Sequence, residues 1–529
     1  MISAAQYLSE LKKVLGRDSR PFIKKALEKV GSGLANEGDK RYLIVAPTGY
    51  GKTDLTFYMS LRVLHSESFK LIAAYPMRAL LEDQKRKFEG LNFLPPSFLG
   101  VRYMGNPVEL AAYYFSTPIV LTTIDTLSLT SVGVSPEDYY KVYDNDRPGH
   151  YLFSKGLVLM SEFVLDEAHL EYDVSKSFTY LAFLSRLAKD FDRPLLLLTA
   201  TLPRSFVDAT TRLLGFRKEN VLQFSREDDI DFVERRKGKK YSFEIRKFME
   251  RKPEDIRSCF RDGKRKLVVF NTVSEAVEFY RNLKDVGSKV LLHSRFVTED
   301  RSKKLKQMKE MESGIVVSTQ AIEVGIDESF DELITDIAPA NSLVQRFGRF
   351  LRKGEESGNA CVWVDINSFS HGRYKGIYDE GLVKRTLEFL KKRESEIGKD
   401  YTLHVGYEDL LDHVYTEPPN IDQSYLERLI SAFREVIDST RAKKLIEDYV
   451  SLVRDDVLVE VEPINRNDIL VPMDLSEAER KCTSVICGDK TYDCGNLGSH
   501  PWEEKIDSII SRRCYIKVNM SYDGELGLS

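Results

Sequence analysis

Short apolar runs, each bounded by polar or turn residues and separated by longer amphipathic stretches, constrain the fold of this chain more than any other feature. Continuous apolar strands that alternate with helices are typical of parallel sheets covered on both faces. The chain is therefore predicted to contain two consecutive α/β domains. The runs of the first are Tyr42–Ala46, Leu71–Tyr75, Ile119–Thr122, Phe163–Leu165 and Leu195–Leu198; those of the second are Leu267–Asn271, Lys289–Leu292, Gly314–Ser318, Leu333–Ile337 and Ala360–Val364.

Two changes in pattern suggest where the domains end. Between Ser225 and Tyr241 an acidic cluster is followed by a basic one, which is typical of a linker or surface crossover. After about Ser370 long charged helical stretches give way to a β-like tail. We therefore expect α/β domains over residues 1–225 and 226–370, and a smaller α+β accessory domain over residues 371–529.

Composition narrows the class of protein. A chain of 529 residues is too long for one hydrophobic core. Its net charge of −4 gives no bulk attraction to nucleic acid, so any such binding must come from local grooves. No apolar run is long enough to cross a membrane, and the N-terminal segment meets charges too early for a secretory signal. Because six Cys in a chain of this length do not indicate a disulfide framework, we expect a cytoplasmic protein.

The segment from Tyr42 to Thr53 predicts a strand, a glycine-containing turn and a helix. Such a turn directs backbone N–H groups toward phosphate, and the helix N-terminus favours the anion. Lys52 is then expected to reach the β- and γ-phosphates and Thr53 to bind Mg²⁺, although the loop begins with Ala46 where the usual pattern has Gly. The predicted nucleotide-binding residues of this loop are Ala46, Pro47, Thr48, Gly49, Tyr50, Gly51, Lys52 and Thr53.

A second cluster follows the apolar run at Phe163. Asp166 and Glu167 come directly after it, and His169 stands two residues further on. One carboxylate at such a strand end can hold Mg²⁺ and the next can activate a water. A solvated acidic pair after a strand is common, but its combination with the Lys52 loop favours a nucleotide-hydrolysing site. We predict Asp166 as a metal ligand with Thr53, and Glu167 as the catalytic carboxylate.

These residues resemble the DEAH box of superfamily 2 helicases, and Thr199-Ala-Thr201 follows a later strand as in that superfamily. The resemblance implies two tandem RecA-like domains and ATP as the nucleotide. The segments Tyr75–Leu80 and Thr122–Leu127 resemble its strand-gripping motifs, which implies phosphate contacts by Arg78, Thr122 and Thr123. Helix capping is the alternative interpretation of both segments.

The second domain contains two further segments similar to helicase motifs. In Thr319–Asp327, the resemblance places Thr319 toward nucleic acid and Gly325 and Asp327 toward nucleotide. In Gln345–Arg352, it places Gln345 near the γ-phosphate and makes Arg349 and Arg352 arginine fingers, with Arg346 supporting the helix. The spacing of the three arginines predicts that they share one face of a helix.

One branch of the superfamily is similar in more detail. Phe270–Ser274, Leu291–Phe296 and Ile337–Arg346 resemble segments of the CRISPR-associated helicase of type I interference systems, which adds His293 and Arg295 as nucleic-acid contacts. The resemblance implies ATP-driven movement on single-stranded DNA, a Cascade-type surveillance complex as partner, and an HD nuclease. No His in the chain is followed directly by Asp, and the roughly forty residues before the first strand are too few for a nuclease domain. We therefore expect the split arrangement, with helicase and HD nuclease on separate polypeptides.

Several alternatives stay open. An RNA helicase or a general DNA-repair helicase would use the same backbone-gripping motifs, and a non-catalytic binding module is a third class. No Gln stands near Arg20–Lys24, where many relatives use one to read adenine, so the preference for ATP is open. The tail cysteines Cys482, Cys487, Cys494 and Cys514 could bind zinc, form disulfides or be buried apolar residues.

Overall fold

The structure is a computed structural model that describes residues 4–91, 93–103, 110–134, 150–172, 174–200, 202–248, 253–284, 286–365, 377–435, 440–449, 451–453, 458–494 and 514–529. These residues form two compact units. Unit 1 comprises Met1–Asp229, Glu417–Glu460 and Asp474–Lys517, and unit 2 comprises Ile230–Thr416, Val461–Met473 and Val518–Ser529. The three-domain division predicted from the sequence stays a prediction.

Unit 1 is built on a seven-stranded parallel sheet with strand order β3-β4-β2-β5-β6-β1-β7. Its central strands are buried over their whole length, as the continuous apolar runs require. The carboxyl ends of β1, β5 and β6 therefore meet at one edge. The strands are β1 (Arg41–Val45), β2 (Leu71–Tyr75), β3 (Leu99–Arg102), β4 (Ile119–Thr123), β5 (Glu162–Leu165), β6 (Leu195–Thr199) and β7 (Val221–Gln223).

Helices accompany this sheet on the crossovers and before β1. The longest, α7, is largely buried and includes the amphipathic stretch seen in the sequence. The helices are α1 (Ala4–Leu15), α2 (Pro21–Ala35), α3 (Thr53–Leu64), α4 (Arg78–Leu91), α5 (Ile124–Ser131), α6 (His150–Leu159), α7 (Ser175–Asp190) and α8 (Arg204–Arg212).

Unit 2 contains a six-stranded parallel sheet with strand order β10-β11-β9-β12-β13-β8. Trp363 and Phe270 are fully buried in the apolar cluster on one face of it. The strands are β8 (Lys240–Phe248), β9 (Arg265–Val269), β10 (Lys289–Leu292), β11 (Gly314–Ser318), β12 (Glu332–Asp336) and β13 (Ser357–Asp365). The helices are α9 (Ile230–Lys237), α10 (Val273–Asn282), α11 (Thr298–Glu310), α12 (Ala340–Phe347), α13 (Glu380–Lys392) and α14 (Glu408–Val414).

The C-terminal part of the chain adds a smaller sheet with strand order β15-β14-β18-β16-β17, in which β16 and β17 are antiparallel. A two-residue-per-strand hairpin, β19 with β20, follows. The elements are α15 (Gln423–Arg434), α16 (Thr440–Tyr449), β14 (Leu458–Pro463), β15 (Val471–Asp474), α17 (Leu475–Lys481), β16 (Cys482–Cys487), β17 (Lys490–Tyr492), β18 (Cys514–Val518), β19 (Tyr522–Asp523) and β20 (Gly527–Leu528).

The predicted fold class is confirmed: the chain contains two parallel-sheet α/β domains and a smaller C-terminal part with a mixed sheet. Every apolar run named from the sequence overlaps a strand. The expectation of a linker from Ser225 to Tyr241 was wrong in part, since α9 forms within it and β8 begins at Lys240. Phe232 and Val233 are buried, so an apolar contact outweighs the charged neighbours. In the part of the chain that is described, no helix combines the length and apolarity that a bilayer crossing demands.

All six cysteines lie in disulfide pairs: Cys259 with Cys361, Cys482 with Cys494, and Cys487 with Cys514. The expectation that the chain lacks a disulfide framework was therefore wrong, and among the alternatives for the tail cysteines the structure shows disulfides rather than zinc. The Cys259–Cys361 pair is buried within the apolar cluster of unit 2 and joins residues 102 positions apart.

A disulfide stabilises the folded state by restricting the unfolded chain, and the effect grows with loop length. We expect about 4–5 kcal/mol from Cys259–Cys361, which are 102 residues apart, and about 3 kcal/mol from Cys482–Cys494, which are 12 residues apart. Replacing Cys259 and Cys361 together by Ala should lower the midpoint of thermal unfolding more than replacing Cys482 and Cys494, measured by calorimetry. Intact mass after alkylation in denaturant should show no adduct without reductant and six with it. Six adducts without reductant would contradict the pairing.

Candidate nucleotide and nucleic-acid site

The loop after β1 has the shape that phosphate binding requires. Gly49 and Gly51 adopt φ values of +74° and +103°, which an L side chain rarely adopts, and α3 begins at Thr53. Lys52 is buried, and its Nζ donates to the Ala46 carbonyl at 3.2 Å. The Ala46 N–H in turn donates to the Thr199 carbonyl at 2.9 Å, so the loop is attached to the end of β6. Lys52 is thus held inside the turn that would surround a phosphate.

Asp166 and Glu167 follow β5 at the same edge of the sheet. Asp166 is buried, and its Oδ1 accepts the Glu167 N–H at 3.0 Å. Glu167 adopts φ +52°, a left-handed conformation that is uncommon outside glycine and is concentrated at functional sites. The two carboxylates are therefore presented by a constrained turn at the strand end, as the sequence predicts.

His169 connects this turn to the end of β6. Its Nδ1 lies 3.2 Å from the Thr199 hydroxyl and 3.5 Å from Glu167 Oε2. The structure thus places His169 of the DEAH box in contact with both Glu167, the predicted catalytic carboxylate, and Thr199, the first threonine of the Thr-Ala-Thr segment. Thr201 lies outside the described residues.

Burial governs the protonation of this cluster. It raises the pKa of Asp166 to about 6, with the Glu167 carboxylate adding to the rise and Lys52 opposing it. Burial lowers the pKa of His169 to about 4 although Glu167 opposes the shift, so the imidazole is neutral at pH 7. A neutral imidazole beside a carboxylate and a hydroxyl is a hydrogen-bonding connector and carries no charge into the site.

The residues suit a nucleotide with Mg²⁺. A buried ammonium inside a turn with two left-handed glycines matches polyphosphate, while a buried aspartate with a raised pKa gains from a nearby cation. Thr53 and Asp166 supply the hard oxygen ligands that Mg²⁺ prefers. The assignment of Ala46 to Thr53, with Asp166 and Glu167, as the nucleotide site stays a prediction with this geometric support.

Tyr50 is the member of the predicted loop whose side chain points elsewhere. It is fully buried, and its hydroxyl contacts Phe22 N and the Asp229 carboxylate. Of this residue only the backbone is placed to face a phosphate. A second connection that the sequence analysis missed joins Arg17 and Ser19 to Asp54, which directly follows Thr53. The acidic residue Asp54 directly after the loop threonine is the sequence signal that could have pointed to this connection.

In unit 2, Arg346 organises the predicted motifs. It is fully buried on α12, and its guanidinium donates to Glu323, the Thr335 hydroxyl and Asn271, with Nε 2.8 Å from Glu323 Oε1. Removing one member of such a buried pair leaves the other charge uncompensated. The sequence predicted support of the helix by Arg346; it missed Glu323 and Asn271 as its partners.

The predicted shared helical face of the three arginines was wrong. Helix α12 ends at Phe347, with Gly348 as its C-cap, so Arg349 and Arg352 lie beyond the helix. Arg349 is buried and donates to the carbonyls of Ile322 and Glu323. Arg352 forms an ion pair with Asp327 at 2.8 Å. Glycine at a helix end is a common stop signal, so the break was readable from the sequence.

The remaining predicted nucleotide contacts of unit 2 differ in exposure. Gln345 is buried on α12, Gly325 has φ +76°, and Asp327 is largely exposed at 73%. Asp327 and Arg352 therefore form a pair at the surface of unit 2, whereas Gln345 and Arg349 are enclosed in it. Their assignment to nucleotide binding and catalysis stays a prediction.

The predicted nucleic-acid contacts also divide by exposure. Thr122 is fully buried and donates to the Arg102 carbonyl, and Thr123 caps α5 by accepting the Thr126 N–H. Thr319 is buried as well. Thr123 thus has the capping role that was the alternative interpretation. Arg78 and Arg295 keep accessible surface.

His293 is covered by the β19–β20 hairpin. Its Nε2 lies 2.9 Å from the Leu526 carbonyl, and a Cβ on Gly527 would come within 2.6 Å of its ring. Burial lowers the pKa of His293 to about 3. Glu525 of the same hairpin contacts Tyr280 and Lys304. Contact between His293 and a nucleic acid would require this hairpin to move.

Arg78 faces a carboxylate in unit 1. Its Nη1 lies 3.7 Å from Glu460 Oε1 on β14, and its guanidinium lies over the ring of Tyr103 at 5.2 Å. Neither side chain of the ion pair is fully buried. A phosphate that binds Arg78 would therefore compete with Glu460.

The structure combines two parallel α/β sheets with a phosphate loop and a DEAH turn at one edge of the first sheet, an arrangement that resembles helicases with two α/β domains. Comparison with known families agrees. Residues 24–209 match the model of DEAD/DEAH box helicases, and residues 262–355 match the C-terminal model of the CRISPR-associated nuclease/helicase Cas3. The predicted resemblance is confirmed.

Curated relatives of the chain are named as Cas3 proteins as well. The chain is 28% identical over 406 residues to the CRISPR-associated helicase Cas3 of Thermoproteus tenax, covering 73% of this chain and 65% of that protein. It is 26% identical over 503 residues to the CRISPR-associated nuclease/helicase Cas3 of Methanothermobacter thermautotrophicus, covering 85% of this chain and 54% of the relative. The chain thus spans less than two thirds of the length of either.

Solved structures share the fold. The crystal structure of T. fusca Cas3-AMPPNP superposes with a TM-score of 0.66 at 15% identity, covering 98% of this chain and 71% of that one. A chain of a CRISPR RNA-guided surveillance complex in a pre-nicking state gives a TM-score of 0.56 at 16% identity, covering 93% of this chain and 66% of that one.

Lys52→Ala and Glu167→Gln should both abolish nucleotide hydrolysis through different steps. Loss of Lys52 removes a charged phosphate contact, so nucleotide affinity should fall by about tenfold or more. Loss of the Glu167 carboxylate should leave binding intact while water is no longer activated. Nucleotide titration beside steady-state phosphate release measures both. Equal loss of affinity in the two variants would overturn the role assignment.

Arg349→Ala and Arg352→Ala should both reduce turnover, by about 10³-fold or more if each acts on transition-state charge. Only Arg349→Ala should also lower the unfolding midpoint, since Arg349 is buried and holds the Ile322 and Glu323 carbonyls. Lys353→Ala, a change at the exposed neighbour, is the matched control. Turnover at the wild-type rate in Arg352→Ala would assign Arg352 to the Asp327 ion pair alone.

Proposed function

We propose that the chain is an ATP-dependent translocase and helicase that acts on single-stranded DNA in type I CRISPR interference. The observation that carries the proposal is the contact chain from the Glu167 carboxylate through His169 to Thr199, beside the Lys52 loop. These contacts connect the proposed hydrolysis site to Thr199 at the end of β6. The family models and the relatives named Cas3 support the same function.

Each group of the site has a task in hydrolysis. Lys52 offsets negative charge on the β- and γ-phosphates, and the loop N–H groups orient them. Glu167 orients and activates the attacking water, and Thr53 and Asp166 are the residues that would hold Mg²⁺. When bound, Mg²⁺ supplies further neutralisation of the phosphates. His169 is neutral and its Nδ1 lies close to both Glu167 and Thr199, so its imidazole can pass a shift of Glu167 to Thr199 without a change of charge.

We further propose that a Cascade-type surveillance complex presents the DNA and that a separate HD nuclease cuts it. No His-Asp dipeptide occurs in the 529 residues. Within the described ranges, the one cluster of His, Cys, Asp and Glu close enough to hold a metal is Glu244 with Cys259 and Cys361, whose cysteines are paired. Phosphodiester cleavage generally needs metal ions that activate water. The pure protein should therefore leave DNA intact with Mg²⁺, Mn²⁺, Ni²⁺ or Co²⁺, and cutting that survives Lys52→Ala would overturn this part.

The experiment for the proposed function measures ATP hydrolysis with poly-dT, mixed-sequence DNA and RNA across a salt series. Phosphate contacts carry no direct sequence information, so stimulation should be similar for both DNAs and should decrease with salt. Stronger stimulation by RNA would favour the RNA helicase, since the 2′-OH is the general discriminator. Lack of stimulation by any nucleic acid would favour a non-catalytic or unrelated role.

The Arg78–Glu460 contact yields a sharper prediction. Arg78→Ala should weaken single-stranded DNA binding and reduce the slope of log affinity against log salt by about 0.7, the value for one phosphate contact. Glu460→Gln should tighten binding because the competing carboxylate is gone. Glu89→Gln, at an exposed carboxylate on the same helix as Arg78, is the control. Fluorescence anisotropy of labelled poly-dT measures all three, and tighter binding by Glu89→Gln than by Glu460→Gln would contradict the prediction.

A further inference from the structure

Tyr50 stands between the two left-handed glycines of the phosphate loop, yet its side chain extends away from the loop. The side chain is fully buried. Its hydroxyl accepts the Phe22 N–H at 3.3 Å and donates to Asp229 Oδ2 at 2.9 Å. The phosphate loop is thereby tied to the start of α2 and to a residue 179 positions later in the chain.

The surroundings of Tyr50 are those of an aromatic core. The ring of Phe224 lies 4.8 Å from it and that of Phe22 at 6.2 Å, and the Arg20 guanidinium lies over its face at 5.2 Å. Burial raises the pKa of the Tyr50 hydroxyl, and its hydrogen bond to Asp229 adds to the rise. The hydroxyl is therefore a protonated donor. A phenylalanine would fill the same space without a buried polar group, so the hydroxyl is explained by its hydrogen bonds rather than by packing.

Asp229 is the last residue of the first chain segment of unit 1, and α9 of unit 2 begins at Ile230. The residues before it are held to unit 1 as well. Asp228 accepts the Ser225 N–H at 2.8 Å and pairs with Lys25 of α2 at 2.8 Å. Residues 225–229, here called the exit segment, are therefore attached to unit 1 by the Asp228–Lys25 ion pair and by the Tyr50–Asp229 hydrogen bond, and the second of these reaches the phosphate loop.

We propose that Tyr50 is a positioning residue that couples nucleotide occupancy of the phosphate loop to the exit segment through Asp229. The proposal rests on the proposed function for the identity of the nucleotide. Gly49 and Gly51 give the loop two flexible backbone positions on either side of Tyr50. A rearrangement of the loop around phosphate displaces the Tyr50 ring, and the hydrogen bond to the Asp229 carboxylate carries that displacement to the end of the exit segment.

The test uses Asp229→Asn, Tyr50→Phe and the double variant in the full chain. Coupling is measured as the ratio of dissociation constants for labelled poly-dT without and with AMPPNP. Asp229→Asn should keep the basal hydrolysis rate and AMPPNP affinity while the coupling ratio falls by about tenfold, the effect of one hydrogen bond to a charged group. Tyr50→Phe should lower the ratio equally, and the double variant should match either single one, because both remove one interaction.

Two variants serve as controls. Lys25→Ala breaks the exposed anchor of the exit segment and should leave the ratio unchanged. Tyr42→Phe removes another buried tyrosine hydroxyl of unit 1, away from the exit segment, and should do the same. A loss of coupling in either control, or additive losses in the double variant, would overturn the proposal.

Hydrogen exchange separates this proposal from the proposed function. Addition of AMPPNP should change amide exchange over residues 225–237 in the wild type and in Lys25→Ala, but not in Asp229→Asn or Tyr50→Phe. If that pattern appears while poly-dT has no effect on ATP hydrolysis, the coupling stands and the proposed function fails. If exchange in Asp229→Asn responds to AMPPNP as in the wild type, Tyr50 is a packing residue and the proposal fails.

Discussion

The burial of opposite charges at the carboxyl edge of one parallel sheet is the constraint on which the account depends. Lys52 and Asp166 are both enclosed, and the field of Lys52 opposes the rise in the pKa of Asp166. Buried charges are costly unless compensated, and groups of this kind at a sheet edge are concentrated at functional sites. The apolar strands β1, β5 and β6 supply the rigid frame, and the glycines of the loop and the left-handed Glu167 turn supply the local geometry. The proposed hydrolysis, its proposed link to Thr199 and the proposed coupling through Tyr50 all begin at this edge.

The two units use buried polar groups in different ways. In unit 1, single hydrogen bonds from uncharged side chains connect the site to its surroundings, as between His169 and Thr199 and between Tyr50 and Asp229. In unit 2 a fully buried Arg346–Glu323 pair joins α12 to the turn after β11 and to Asn271. Truncating one side of that pair would cost far more than an exposed bridge. Unit 2 therefore encloses Arg346 and Arg349, while Asp327 at its surface is largely exposed.

Local sequence patterns allowed much of the fold and of the candidate site to be predicted. Continuous apolar runs predicted the strands correctly, and the motifs around Lys52, Asp166 and Glu167 predicted the candidate site, because strand and turn chemistry act over a few residues. Gly348 could have shown that Arg349 and Arg352 lie beyond the helix. The burial of His293 was not predictable, since the hairpin that covers it lies 233 residues away. Nor were the disulfide pairings, which spacing alone does not determine.

In the proposed function, hydrolysis at the Lys52–Glu167 site moves the protein along a nucleic-acid strand. Strand displacement tests it most directly, with a fluorophore–quencher duplex that carries a single-stranded DNA overhang and with ATP as the one variable. The account predicts separation with ATP in the wild type, and none with Glu167→Gln or with AMPPNP. DNA-stimulated hydrolysis without any displacement or movement along the overhang, or displacement that persists in Glu167→Gln, would contradict it.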